Sequence, residues 1–194
     1  MNLDVSTQEP DPRRLRLLVA LAGAALWLAA CALEAPAPPG RRPSDLDVDA
    51  FEQGLLDAHD AARDAAVPTP PAPLPAMSWD DGVAAVAQEW AEGCIFQHRQ
   101  PNDFGENLAL FSDTEVAPNV VVELWASEAP DYDYGANDCT PGAQCGHYTQ
   151  IVWSDSTRLG CGVAICDDVE GFGPGALWVC NYDPPGNFVG ERPY

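Results

Sequence analysis

The sequence predicts an α+β domain on three observations: stretches with helical periodicity, two β-rich runs split by a glycine-rich turn near the C-terminus, and no internal repeat. The first helix covers residues 48–66, where Phe51, Leu55, His59, Ala62 and Ala66 recur at intervals of three and four. His59 lies on that apolar stripe. Pro68, Pro70, Pro71, Pro73 and Pro75 then exclude helix and favour an extended path of about 25 Å, long enough to run back along the helix. A second helix is read from Asp80 to Cys94, with Val83, Val86, Ala87, Trp90 and Ala91 on one face. A short third helix spans Asn119 to Ser127, and its period puts Val121, Leu124, Trp125 and Glu128 on one side. After a polar loop over 135–144, the runs 159–166 and 177–182 have strand composition and flank Gly171, Gly173 and Gly175, which predicts an antiparallel hairpin. Trp79, Trp90, Trp125, Trp153 and Trp178 sit at apolar helix or strand positions and are assigned to the core.

Upstream of the domain, Arg13, Arg14 and Arg16 precede an apolar run from Leu17 to Ala30. As a helix this run rises about 21 Å, short of the roughly 30 Å hydrocarbon core, so residues 1–30 read as a cleaved export signal. The ending Leu28-Ala29-Ala30-Cys31 resembles a bacterial lipobox, in which Cys31 is acylated and becomes the first mature residue. Residues 31–44 are rich in Pro and Ala and read as a tether; the folded domain is placed at 45–194. The expected location is extracytoplasmic: held on the outer membrane or cell surface by the lipid, or secreted.

Nine basic residues, all arginine, stand against thirty acids, a formal charge of −21. That balance excludes nucleic-acid backbones as partners and excludes docking on an anionic bilayer through basic residues, leaving the lipid on Cys31 as the membrane contact. Beyond Cys31 the chain has Cys94, Cys139, Cys145, Cys161, Cys166 and Cys180. An even count in an oxidising compartment fits three disulfides, for which sequence alone allows fifteen pairings.

Two strings are unusual: Gly146-His147-Tyr148-Thr149-Gln150-Ile151-Val152-Trp153, and Val179-Cys180-Asn181-Tyr182 followed by Pro185-Gly186-Asn187-Phe188. With Gly105-Glu106-Asn107-Leu108-Ala109 and Leu159-Gly160-Cys161-Gly162, they resemble the signature motifs of the CAP superfamily (cysteine-rich secretory proteins, antigen 5 and pathogenesis-related 1). The resemblance runs over residues 48–194, and the ending Gly190-Glu191-Arg192-Pro193-Tyr194 is similar to the plant pathogenesis-related branch. It implies an α-β-α sandwich with a small antiparallel sheet between helices. It also implies disulfides Cys94–Cys166, Cys139–Cys145 and Cys161–Cys180, and a groove lined by His59, Glu106, Glu128 and His147.

Two imidazoles, His59 and His147, can hold a divalent ion such as zinc while Glu106 and Glu128 accept their second N–H groups. Two protein ligands are fewer than a structural or catalytic zinc takes, so the ion is expected to be exchangeable and not a required cofactor. Tyr148 and Phe188 are the aromatic groove candidates, and His98, outside both motifs, is read as a structural hydrogen-bonder. Two functions compete. One is a binding domain for a lipid, sterol or peptide, of which the lipid and sterol are implied by the resemblance alone. The other is a metal-dependent, peptidase-like hydrolase with Glu106 or Glu128 as general base. Against the hydrolase, no GxSxG occurs, and Ser127 points about 100° from Glu128 on a helix.

Overall fold

A computed structural model describes residues 38–194. The export-signal and lipidation assignments, Cys31 included, lie outside the described residues. Helix α1 (Val48–Asp64) opens at Asp47, whose carboxylate accepts the Ala50 N–H at 3.1 Å. The proline segment does return along it: Asp60 Oδ1 accepts the Met77 N–H at 2.9 Å, ahead of the short strand β1 (Ser78–Trp79). Helix α2 (Asp81–Glu92) is capped by Asp80, which accepts from Gly82 and Val83. Strand β2 (Gly105–Phe111) leads to α3 (Pro118–Ala126), which starts on a proline whose missing N–H costs nothing there. A 3-10 turn and the two-residue strands β3 (Tyr132–Asp133) and β4 (Asp138–Cys139) precede α4 (Gly146–Ile151). The hairpin β5 (Arg158–Val169) and β6 (Gly173–Asp183) completes the domain.

The main sheet has the order β1-β5-β6-β2 and is antiparallel except for β1, which pairs parallel with β5. Alternation along the strands sorts the core into two layers. Cys161, Val163, Trp178, Cys180 and Tyr182 face Phe51, Leu55, Val121 and Trp125 of α1 and α3. Ala164, Leu177, Val179 and Leu108 face Ala87 and Ala91 of α2. The result is the expected α-β-α sandwich. The three disulfides are Cys94–Cys166, Cys139–Cys145 and Cys161–Cys180, the last joining directly opposed residues of β5 and β6. Of the tryptophans assigned to the core, Trp125, Trp153 and Trp178 are buried, whereas Trp79 and Trp90 are half-buried at its margin.

Helix α2 lies unusually close to the sheet. A Cβ on Gly162 would fall 2.3 Å from Gln88 Cα, so only glycine admits the helix there. The closeness lets the Gln88 amide bond both backbone groups of Val163, at 3.0 and 3.1 Å, on the outer edge of β5. Farther along that edge, Arg41 exchanges two backbone hydrogen bonds with Ile165, and the Gly40 N–H donates to the Glu92 carbonyl at 2.8 Å. The domain therefore begins upstream of Asp45: residues assigned to the tether cover an otherwise open strand edge. Gly162→Ala is expected to lower stability by about 2 kcal/mol through overpacking, read as a lower urea midpoint. An unchanged midpoint would contradict the close helix-sheet contact.

Candidate functional site

The edge strand β2 places Glu106 and Asn107 in succession, one toward each face of the sheet, and an open cleft of about 370 Å³ lies over them. The loop after α2 brings His98 to this cleft, and the start of α4 brings His147. His98 Nδ1 is 2.8 Å from Glu106 Oε1, which also accepts the Arg99 N–H at 3.0 Å, while Asn102 donates to Oε2 at 3.4 Å. His147 Nδ1 is 2.6 Å from Glu128 Oε1, and Glu128 Oε2 takes the backbone N–H groups of His147 and Tyr148 at 2.9 and 3.3 Å. Trp125 stacks on the His147 ring at 6.1 Å between centroids.

In both pairs a carboxylate facing Nδ1 holds the proton on that nitrogen and leaves Nε2 with a free lone pair. Burial alone would raise the Glu128 pKa. The His147 hydrogen bond and charge, with the two backbone N–H groups, outweigh it and hold the carboxyl below its ordinary value. The hydrogen bond to Glu106 raises the His98 pKa, its charge adding to the effect and partial burial opposing it.

The cleft histidine partnering His147 is thus His98, and the assignment of His59 is corrected. His59 is fully buried, its Nδ1 2.8 Å from the Leu55 carbonyl and its Nε2 2.8 Å from the Tyr182 hydroxyl. Both nitrogens are occupied inside the core, so neither can reach an ion in the cleft. Burial, with the Arg63 charge adding, depresses its pKa to about 4 against the Leu55 hydrogen bond. Tyr148 also leaves the groove list. It is 2% exposed, and its hydroxyl accepts the Val67 N–H at 3.2 Å. Phe188 is half exposed and packs edge-on against Trp153 in a second hollow of about 410 Å³ beside the cleft. Ser127 donates its hydroxyl to the Leu124 carbonyl at 2.6 Å, turned into its own helix.

Among the described residues, no group of three or more His, Cys, Asp or Glu gathers around a common point. The site is two separate imidazole-carboxylate pairs on one cleft, and a four-ligand cage is not formed. Each carboxylate accepts from three donors.

Comparison with known proteins agrees with this architecture. The cysteine-rich secretory protein family, CAP, matches residues 56–182. A pathogenesis-related protein of PR-1 type from Sambucus nigra is 41% identical over 147 residues, 73% of this chain and 81% of that protein. Peptidase inhibitor 16 of Mus musculus is 38% identical over 146 residues, 74% of this chain but 29% of its own length. Among solved structures, NaASP2 with Zn2+ superposes with a TM-score of 0.62 at 25% identity, covering 79% of this chain and 90% of that one. The Schistosoma mansoni venom allergen-like protein 4 gives 0.59 at 28%, covering 74% and 93%. Matched by the family over residues 56–182 and 41% identical to the Sambucus nigra protein over 147 residues, the chain belongs to the cysteine-rich secretory protein (CAP) family.

Proposed function

We propose that this is an exported ligand-binding domain whose cleft takes one exchangeable divalent ion, zinc by donor type, on Nε2 of His98 and Nε2 of His147. The observation that supports this is the pairing of each imidazole with a carboxylate at Nδ1, the arrangement that orients metal-binding histidines and raises their basicity. The two carboxylates also balance the charge of a dication. Bound there, the ion would supply Lewis acidity toward a ligand donor atom, since two protein ligands leave coordination positions open. The ligand that best fits the surroundings is an extended peptide. The cleft and the Trp153-Phe188 hollow share Cys139, Cys145, Gly146 and Asn187 as lining, so one chain can run from the first into the second. Attachment to a membrane through an acylated Cys31 belongs to the same proposal. No helix among the described residues is long and apolar enough to cross a membrane.

Titration calorimetry of the full-length protein with zinc at pH 7.5 tests the ion site. His98→Ala and His147→Ala are each expected to weaken binding by about a hundredfold or more. Undiminished affinity in His98→Ala would refute the assignment.

A further inference from the structure

Nothing in the direct ion site explains why a histidine lies at the centre of the α1 stripe. Phe51 and Leu55 precede His59 on the same face, and a leucine there would bury its surface without leaving polar atoms to satisfy. What His59 has instead is a chain of partners. Its Nδ1 faces a carbonyl, Leu55 O, and so carries the proton; its Nε2 is then an acceptor, and the Tyr182 hydroxyl must donate to it. With its proton committed, the Tyr182 oxygen accepts from Asn107 Nδ2 at 3.0 Å. The other N–H of that amide donates to the backbone carbonyl of His147 at 3.1 Å. Every donor in this series has its direction set by the next, and His59, Asn107 and Tyr182 are each at most 1% exposed. The series links α1, β6 and β2 to α4 and ends on the residue that faces the cleft.

We propose that His59, Tyr182 and Asn107 form a positioning relay that fixes His147 at the ion site, with Asn107 as the group acting on it and His59 as its buried anchor. This rests on the zinc reading of the cleft. Glu128 holds the side chain and amide of His147, and Asn107 holds its carbonyl, so the residue is fixed on both sides of its Cα. Breaking the relay leaves the Glu128 contact in place but frees the carbonyl side, so the imidazole is no longer confined to one orientation.

Tyr182→Phe removes one hydroxyl and cuts the relay at its middle. Val122→Ala, in the same core layer but with a side chain that makes none of the relay's hydrogen bonds, serves as a control for general loss of stability. In full-length protein, Tyr182→Phe is expected to weaken zinc binding about tenfold by calorimetry, while Val122→Ala leaves it unchanged. In the metal-free protein at fixed pH, with histidine labelled with carbon-13 and nitrogen-15, the His147 carbonyl and imidazole signals should move in Tyr182→Phe while those of His98 stay. Unmoved His147 signals, or an equal displacement in Val122→Ala, would overturn the relay. If wild-type protein gives no zinc heat, the ion reading fails, and the labelled spectra still decide whether the relay positions His147.

Discussion

Arg63→Ala is expected to destabilise the protein by about 4 kcal/mol and to lower its melting temperature by roughly 10 °C, measured by scanning calorimetry. Arg63 is 2% exposed, and its guanidinium donates to carbonyls through Nε and one of its two terminal nitrogens. Nε donates to Pro75 O at 2.9 Å, and one terminal nitrogen donates to Ile151 O at 2.8 Å and Trp153 O at 2.9 Å. Alanine takes the Arg63 donor from the Pro75 and Ile151 carbonyls, leaves Trp153 O with the Ser156 N–H at 3.2 Å alone, and opens a void where the planar group lay; each lost bond costs about 1 kcal/mol or more. Arg63→Lys should recover little, because one ammonium cannot reproduce the fork that spans the proline segment and the end of α4. A loss below about 1 kcal/mol for the alanine variant would show that these carbonyls find other donors.

Acid should weaken the fold in a window set by His59. Its folded pKa of about 4 lies below the ordinary 6.5, so the unfolded chain takes up a proton over a range in which the native state does not. The stability is therefore fully present above pH 6.5 and is lost as pH falls toward 4, by about 3 kcal/mol over the whole interval. His98 has the opposite sign. Its raised pKa contributes stability that is fully present below 6.5 and is lost above it, so it is constant within the window. Glu128, held low, adds its own loss only as pH falls below its unfolded value of 4.5. The check is the urea midpoint at pH 7.0 and 4.5 in wild type and in His59→Gln, whose neutral amide can donate to Leu55 and accept from Tyr182. Wild type should show the larger decline. Equal slopes in the two proteins would remove His59 as the cause.

The periodic parts of the fold were legible, and the short ones were not. Residues 48–64, 81–92 and 118–126 announce themselves because one face is apolar at the helical period, and β5 and β6 because they are rich in β-branched and aromatic residues around glycine turns. Strand β2 buries side chains on both faces, Ala109 in one core layer and Leu108 in the other, so Gly105–Phe111 lacks the alternation of a half-buried strand. Helix α4, with 6 residues, and β1, with 2, are too short to show any period. Of the residues read as the groove, Glu106 and His147 line the cleft and Glu128 bonds His147, whereas His59 is buried in the core and His98, read as a structural hydrogen-bonder, stands on the cleft. The correcting signal was present: a side chain on an apolar helical stripe is placed for burial, whereas His98 stands in a polar loop eight residues before Glu106 and is free to reach solvent.

The pairing of Gly40 and Arg41 with the margin of the sheet also decides how tension enters the domain. A pull on the chain from its N-terminal side meets the hydrogen bonds of Arg41 to Ile165 and of Gly40 to Glu92 before it reaches α1. A Cβ on Gly40 would lie 2.8 Å from Cys94 Sγ and 3.2 Å from Cys166 Sγ, so these contacts sit directly on a covalent crosslink. They form a mechanical fuse. Under load, Gly40 and Arg41 would peel away first, while the segment from Cys94 to Cys166, which carries His98, Glu106 and His147, would not be drawn out because its ends are tied.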